Sequence, residues 1–149
     1  MLSPLHQTAL RATADFLSDT TDPWWVLGSA AMALIGVDPG EVRDIDVLVS
    51  PRDAQALMRA HSLANLADGG TDRFRSDYFL QPNLGEIPVE VMSGYQIFES
   101  GRWLPVAPAS RLAVTVGGAT VFVPDRTDQI DLLKRLGRPK DLNRLRRFD

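Results

Sequence analysis

Residues 25–49 read WVLGSAAMALIGVDPGEVRDIDVLV, and this stretch decides the fold class. A short apolar run comes first. It is followed by Gly28-Ser29, by small and apolar residues over a helical length, and by a second apolar run that carries Asp44 and Asp46. This order predicts a strand, a helix and a second strand. Because residues i and i+2 of a strand point to the same face, we expect both aspartates to project to one side of the sheet.

The paired aspartates predict a metal site. Two carboxylates side by side repel each other unless a cation or a proton lies between them. Mg²⁺ prefers carboxylate oxygens and keeps other coordination positions for phosphate and water. Gly28 and Ser29, at the expected start of the helix, would supply backbone N–H groups and a helix dipole that suit an anion. Taken alone, Gly28-Ser29 could be an ordinary helix start, and Asp44 with Asp46 could be an ordinary polar strand end. Together and in this order, the two pairs predict a metal site beside a phosphate-binding turn.

The remaining pattern predicts helices at both ends of the chain and further strands between them. Ser3-Pro4 begins a helix that ends near Leu17, and Ser50-Pro51 begins another. Two helices close the chain, with a break at 137–139. The expected strands are residues 24–27, 45–49, 74–80 and 87–92, and a hairpin at 114–123. The predicted fold class is α/β in the broad sense (α+β), with a small mixed sheet packed on helices.

The composition excludes several kinds of site. The chain has 149 residues and no cysteine, so disulfides, thiolate metal sites and a cysteine nucleophile are excluded. No apolar run approaches about 20 residues, the length of a membrane-spanning helix. The first residues also lack the basic and apolar blocks of a signal peptide. We therefore expect one cytoplasmic domain over residues 1–149, with no membrane partner.

The order of Gly-Ser, helix and Asp-x-Asp strand resembles the polymerase-beta-like nucleotidyltransferase superfamily, whose members transfer a nucleoside monophosphate from a nucleoside triphosphate with Mg²⁺. That family has a third carboxylate on a later strand, and the best match is Glu90 in IPVEVM, residues 87–92. The sequences LLK at 132–134 and RPKDL at 138–142 are similar to elements of small bacterial nucleotidyltransferases, including toxins of type IV toxin–antitoxin systems.

The resemblance implies a set of site residues. Asp44, Asp46 and Glu90 would be the catalytic residues and the metal ligands, with Mg²⁺ or Mn²⁺ as cofactor. Glu90 would help to bind a second ion or act as a base toward the acceptor. The implied nucleotide-binding residues are Gly28, Ser29, Lys134, Arg138 and Lys140.

Each of these assignments has an ordinary structural alternative. Glu90 could be an outward-facing residue on a half-buried strand, and Lys134 could serve only the electrostatics of a helix end. Asp141 could be no more than a helix cap, and Arg43 could hold a phosphate or simply offset the repulsion between the aspartates.

The C-terminal segment departs from the family pattern and is strongly basic. Position 144 is an arginine where the family often has an acid. Residues 134–149 contain seven basic and two acidic residues, although the whole chain has a net charge of −3. This basic helical segment predicts a surface for triphosphate or RNA. The alternative is a solvated helix face, with Leu142, Leu145 and Phe148 turned toward the core.

Two functions remain open from the sequence. The first is Mg²⁺-dependent nucleotidyl transfer from a nucleoside triphosphate to a protein hydroxyl, an RNA end or a small molecule. The second is a non-catalytic nucleotide-binding or protein-interaction module that keeps the fold, such as a toxin–antitoxin component. A chain of this length leaves little room for a separate acceptor domain, so a homodimer or a partner subunit would supply that surface.

Overall fold

A computed structural model describes residues 2–149 of the chain. It contains five helices and nine strands, and a short 3-10 helix follows the last α-helix at Arg146–Phe148. The helices are α1 (Pro4–Phe16), α2 (Gly28–Leu34), α3 (Pro51–His61), α4 (Arg126–Leu136) and α5 (Pro139–Leu145). The strands are β1 (Trp25–Leu27), β2 (Ile45–Leu48), β3 (Phe74–Arg75), β4 (Tyr78–Leu80), β5 (Val89–Ser93), β6 (Gln96–Glu99), β7 (Arg102–Pro105), β8 (Leu112–Val116) and β9 (Ala119–Val123).

The largest sheet is mixed and has the strand order β1-β2-β5-β4. β2 and β5 run parallel, whereas β1 is antiparallel to β2 and β4 is antiparallel to β5. In this register Asp46 lies between Leu27 on one side and Glu90 on the other. The predicted α+β fold class is therefore confirmed, and the sheet brings Gly28, which follows Leu27, next to the acidic residues.

One face of this sheet is covered by the main hydrophobic core. Alternate strand residues such as Ile45, Val47, Val89 and Val91 are fully buried there, together with apolar residues of α1, α3 and β9. Because successive strand residues point to opposite faces, Asp46 and Glu90 project from the other face. The strand alternation thus fixes which face can carry polar chemistry.

The C-terminal hairpin is also as expected. β8 and β9 pair antiparallel around Gly117-Gly118, and both glycines have positive φ, +53° and +86°. This is the backbone that a tight primed turn needs. The predicted break between α4 and α5 is confirmed as well, with Gly137 at φ +62° ending α4.

Three features differ from the sequence-based expectation. The single strand predicted at 74–80 is two strands in different sheets, because β3 pairs with β6 whereas β4 pairs with β5. The hairpin of β6 and β7 was not predicted; it forms a three-stranded sheet with β3. The alternative interpretation of the C-terminal segment, with Leu142 turned toward the core, is wrong for this residue, since 47% of it is exposed, although Phe148 is buried.

Among the helices described between residues 2 and 149, none is long and apolar enough to cross a membrane.

Candidate active site

Three carboxylates meet on the face of the mixed sheet that points away from the main core. Asp44 immediately precedes β2, Asp46 lies on β2, and Glu90 lies opposite Asp46 on β5. One carboxylate oxygen from each residue lies within 4.8 Å of a carboxylate oxygen of each of the other two, and all three residues are half-buried. The spacing of the two aspartates along β2 and the parallel pairing of β2 with β5 together produce this cluster.

The cluster is short of positive charge. Burial, followed by the nearby charges of Asp44 and Glu90, raises the pKa of Asp46 from 3.8 to about 7, while Lys140 and Arg144 act in the opposite direction. Burial and the charge of Asp44 also raise the pKa of Glu90, against a hydrogen bond with Asp46 and the charge of Lys140. Desolvation and like charge both disfavour the ionised acids. The protein thus holds an acidic cluster that a cation would stabilise.

The turn before α2 lies directly against this cluster. Gly28 has φ +68°, which favours glycine, and a Cβ placed on it would lie 3.1 Å from Oδ2 of Asp46. Ser29 is buried in the first turn of α2. A glycine at position 28 is therefore what allows the main chain to approach Asp46 closely.

A cleft of about 470 Å³ joins the acids to the C-terminal basic segment. Gly28 and Ser29 line it beside the carboxylates, and Lys140 and Arg144 of α5 line it as well. These two cations are four residues apart and so share one side of the helix. The cleft therefore combines an acidic cluster with basic side chains, the charge pattern that a metal–polyphosphate complex requires.

Arg138 also lines this cleft, but two of its guanidinium nitrogens and its backbone N–H already donate to Asp141. Its Nε donates to Oδ2 of Asp141 at 2.6 Å, and its Nη2 donates to Oδ1 at 3.1 Å. The backbone N–H of Arg138 donates to the same carboxylate at 3.1 Å, and Asp141 has no exposed surface. The helix-cap interpretation of Asp141 is correct, and this ion pair anchors the start of α5.

Two other basic residues that the sequence suggested do not line the cleft. Lys134 is exposed on α4 and is not among the residues that line the cleft. Arg43 is exposed and pairs with Glu41 at 3.0 Å, so it holds neither of the aspartates. Arg144, by contrast, lies in the cleft although the sequence marked it only as a departure from the family pattern. Its position four residues after Lys140 was the available signal.

Part of the remaining cleft wall is apolar and aromatic, and this part was not predicted. Phe74, Tyr95 and Leu136 line it, and the rings of Phe74 and Tyr95 lie edge to face at 6.3 Å. Burial raises the pKa of Tyr95 to about 12, so its hydroxyl stays protonated at neutral pH. An apolar and aromatic patch beside polar groups is typical of small-molecule sites and suits a planar ring.

A comparison with protein-family models gives no match, and a comparison with curated proteins gives none either. Solved structures do match. A presumed nucleotidyltransferase from Thermotoga maritima has a TM-score of 0.77 and 26% sequence identity, over 99% of this chain and 94% of its own. An antigenic nucleotidyltransferase-like protein from Paracoccidioides brasiliensis has a TM-score of 0.57 and 16% identity, over 99% and 77%.

The chain has the minimal nucleotidyltransferase fold. The antibiotic-resistance factor ANT(2'')-Ia, solved in complex with adenylyl-2''-tobramycin, matches over 93% of this chain and 83% of its own, with a TM-score of 0.55 and 12% identity. The resemblance seen in the sequence is thus confirmed at the level of the fold, whereas the toxin–antitoxin type stays a prediction.

In this nucleotidyltransferase fold the three acids fit a divalent cation. The donors are carboxylate oxygens, which hard cations such as Mg²⁺ and Mn²⁺ prefer. Among residues 2–149, none of the three acids forms an ion pair with a basic side chain, so a cation would supply charge that the fold does not place in direct contact with them.

Proposed function

We propose that this chain transfers a nucleoside monophosphate from a nucleoside triphosphate to an acceptor hydroxyl, and that the reaction depends on Mg²⁺ or Mn²⁺. The observation that carries this proposal is the cluster of Asp44, Asp46 and Glu90 in one cleft with Lys140. The nucleotidyltransferase fold of the solved relatives supports it. A bound divalent cation would neutralise phosphate charge and make the α-phosphorus a better electrophile.

The side chains of the cleft then have defined tasks. Asp44 and Asp46 would hold the cation, and the backbone at Gly28 and Ser29 with the Lys140 ammonium would hold the phosphates. The acceptor oxygen forms a bond to the α-phosphorus as the bond from that phosphorus to the bridging oxygen breaks. Glu90 takes the proton of the acceptor hydroxyl, and pyrophosphate leaves with the electron pair of the broken bond. Position and charge do most of the work in such a reaction.

The charge of the cleft favours an acceptor that is not a polycation. Among the described residues that line the cleft, Asp68 and Asp141 are the acids outside the cluster of three, and Asp141 is committed to Arg138. A polycationic aminoglycoside needs several free carboxylates, so the acceptor bound by ANT(2'')-Ia is a poor guide here. We propose a neutral or anionic hydroxyl compound, an RNA end or a protein hydroxyl, with a second copy or a partner subunit completing the acceptor surface.

The test is incubation of the protein with each α-labelled nucleoside triphosphate, Mg²⁺ or Mn²⁺, and a cell extract as the pool of acceptors. The unmodified protein should label an acceptor. Glu90→Gln should abolish labelling while largely keeping triphosphate binding, and Lys140→Ala should weaken binding itself. Glu86→Gln is the matched control, because Glu86 is exposed just before β5 and does not line the cleft.

Binding without labelling by any of the four nucleotides would favour the non-catalytic alternative. A Glu90→Gln variant that labels acceptors as well as the unmodified protein would remove Glu90 from the mechanism. Labelling that survives in EDTA would contradict the role of a divalent cation.

A further inference from the structure

Three apolar side chains line the cleft without taking part in a buried core. Phe79 on β4 and Met92 on β5 are half-buried, and Leu66, in the loop before β3, is 48% exposed. Within residues 2–149, none of the three belongs to one of the buried hydrophobic clusters or packs against one. We call these three residues the apolar patch. The fold thus leaves apolar surface in the cleft without covering it.

The strand register places the apolar patch beside Glu90. Met92 follows Glu90 by two residues on β5, so both side chains project from the same face, about 7 Å apart along the strand. Phe79 is the cross-strand partner of Met92, and the backbone N–H of Leu66 donates to the carbonyl of Phe79 at 2.8 Å. The patch therefore extends from Glu90 over β4, the last strand of the mixed sheet.

The apolar patch and the turn at Gly28 lie on opposite sides of the acids. Across the sheet, β1 with Gly28 lies on one side of β2, and β5 and β4 lie on the other. Along the strands, β1 runs antiparallel to β2, so Gly28 lies toward the start of β2, whereas Met92 pairs with Leu48 at its end. In an in-line displacement the acceptor attacks from the side opposite to the leaving pyrophosphate. With the phosphates at Gly28, the acceptor would approach over the apolar patch.

The charged residues on this wall of the cleft are already engaged. Between residues 66 and 79, the charged residues that line the cleft are Asp68 and Arg75. Asp68 accepts a hydrogen bond from the backbone N–H of Gly70 at 2.9 Å. The guanidinium of Arg75 lies over the ring of Trp103 at 4.2 Å, and its Nε donates to Gln96 at 2.7 Å. Because burying an unpaired polar group costs free energy, such a wall favours an uncharged, apolar group over a sugar or a phosphate.

We propose that the acceptor is an uncharged hydroxyl compound with an apolar or aromatic body, such as a phenol or a hydrophobic alcohol, and that the apolar patch binds that body. This inference rests on the proposed function, because it uses the position of the phosphates and of Glu90. The acceptor oxygen bonds to the α-phosphorus, its proton passes to Glu90, and pyrophosphate leaves with the electron pair of the broken bond.

The first experiment measures binding and needs no turnover. Methyl-labelled protein is titrated with 2-naphthol, an uncharged aromatic alcohol, and followed by NMR, with Mg²⁺ and with or without the α,β-methylene analogue of each nucleoside triphosphate. The methyl signals of Leu66 and Met92 should shift. Leu66→Ser should lower the affinity for 2-naphthol by about threefold to tenfold, the scale for removing one leucine from an apolar contact. Leu5→Ser is the matched control, because Leu5 is 50% exposed on α1 and does not line the cleft, and it should bind 2-naphthol like the unmodified protein.

Thermal melting establishes that both variants are folded. Binding of 2-naphthol at the patch together with a nucleotide analogue would support the proposal. Shifts confined to residues outside the patch, or an affinity that Leu66→Ser does not change, would overturn it. Displacement of 2-naphthol by a nucleotide analogue would also overturn it, because the patch would then belong to the nucleobase.

A second experiment gives the acceptor class and separates this inference from the proposed function. The labelled product formed in cell extract is separated into RNA, protein and small molecules, and the small molecules are resolved by reversed-phase chromatography. Label should appear in a small molecule that is retained more strongly than the nucleotide, and Leu66→Ser should lower its yield. Label in RNA, in protein or in a hydrophilic small molecule would leave nucleotidyl transfer intact and refute the apolar acceptor. If nothing is labelled but 2-naphthol binds beside a nucleotide analogue, the apolar site stands and the enzymatic proposal fails.

Discussion

Replacing Asp46 by asparagine should stabilise the protein in the absence of metal, by an amount that grows with pH. Burial and the neighbouring charges of Asp44 and Glu90 raise the pKa of Asp46 in the folded state. Asparagine has nearly the same shape and cannot ionise, so it removes one charge from a buried acidic cluster. A purely structural role for Asp46 would give the opposite result, because the variant would then lose a needed contact.

The size of the effect follows from the shift in pKa. Asp46 titrates at about 7 in the folded chain, against 3.8 for an ordinary aspartate. Because the pKa of Asp46 is higher in the folded state, the free energy of unfolding has its full value below the unfolded pKa. It falls as the pH rises from there through the folded pKa. One pKa unit corresponds to about 1.4 kcal/mol, so between about pH 5 and pH 8 the unmodified protein should lose about 2 to 3 kcal/mol relative to Asp46→Asn.

Urea unfolding in EDTA at several pH values measures this difference. Asp131→Asn is the matched control, because Asp131 is exposed on α4 and outside the cleft, and it should follow the unmodified protein at every pH. Added Mg²⁺ should stabilise the unmodified protein but not Asp46→Asn, since ligand binding to the folded state raises stability. A free-energy difference that does not change with pH, or a variant that is less stable at about pH 8, would refute the reasoning.

Three further predictions follow from the site. Gly28→Ala should lower the free energy of unfolding by about 1 to 2 kcal/mol, because a Cβ strains the φ of +68° and crowds Asp46 Oδ2 at 3.1 Å; unfolding in urea checks this, and an unchanged stability contradicts it. Asp141→Asn should cost about 2 to 3 kcal/mol by leaving Arg138 without its buried partner, whereas a loss below about 1 kcal/mol in the same assay would show that the ion pair does not anchor α5. Binding of Mg²⁺ at about pH 6 should release a proton from Asp46, which calorimetry in two buffers of different ionisation enthalpy detects; equal heats in both buffers would contradict it.

The strand–helix–strand unit could be predicted from sequence because its signals are local. The alternation of Ile45 and Val47 with Asp44 and Asp46 fixes the face of the strand, and Gly28 marks the turn before α2. The position of Glu90 beside Asp46 was different. It depends on the parallel pairing of β2 with β5 across about 40 residues of chain, which local periodicity does not specify. The family resemblance supplied that residue.

The errors and omissions also have physical causes. Residues 74–80 contain no glycine or proline, and the strand divides because its two halves find different partners, β6 and β5. The hairpin of β6 and β7 carried a usable signal in Ser100-Gly101, where both residues have positive φ. Arg138 has the residue type of a phosphate ligand, but its role depends on Asp141, which folds back onto it at the start of α5.

The central claim is that Asp44 and Asp46, beside Glu90, hold a divalent cation together with a triphosphate. The most direct measurement is anomalous diffraction from crystals grown with Mn²⁺ and a nucleoside triphosphate that cannot be cleaved between the α- and β-phosphates. The account predicts an anomalous peak within coordination distance of the Asp44 and Asp46 carboxylates and a phosphate chain that runs toward Lys140. A nucleotide bound elsewhere, or no Mn²⁺ peak at the three carboxylates at saturating metal, would contradict it.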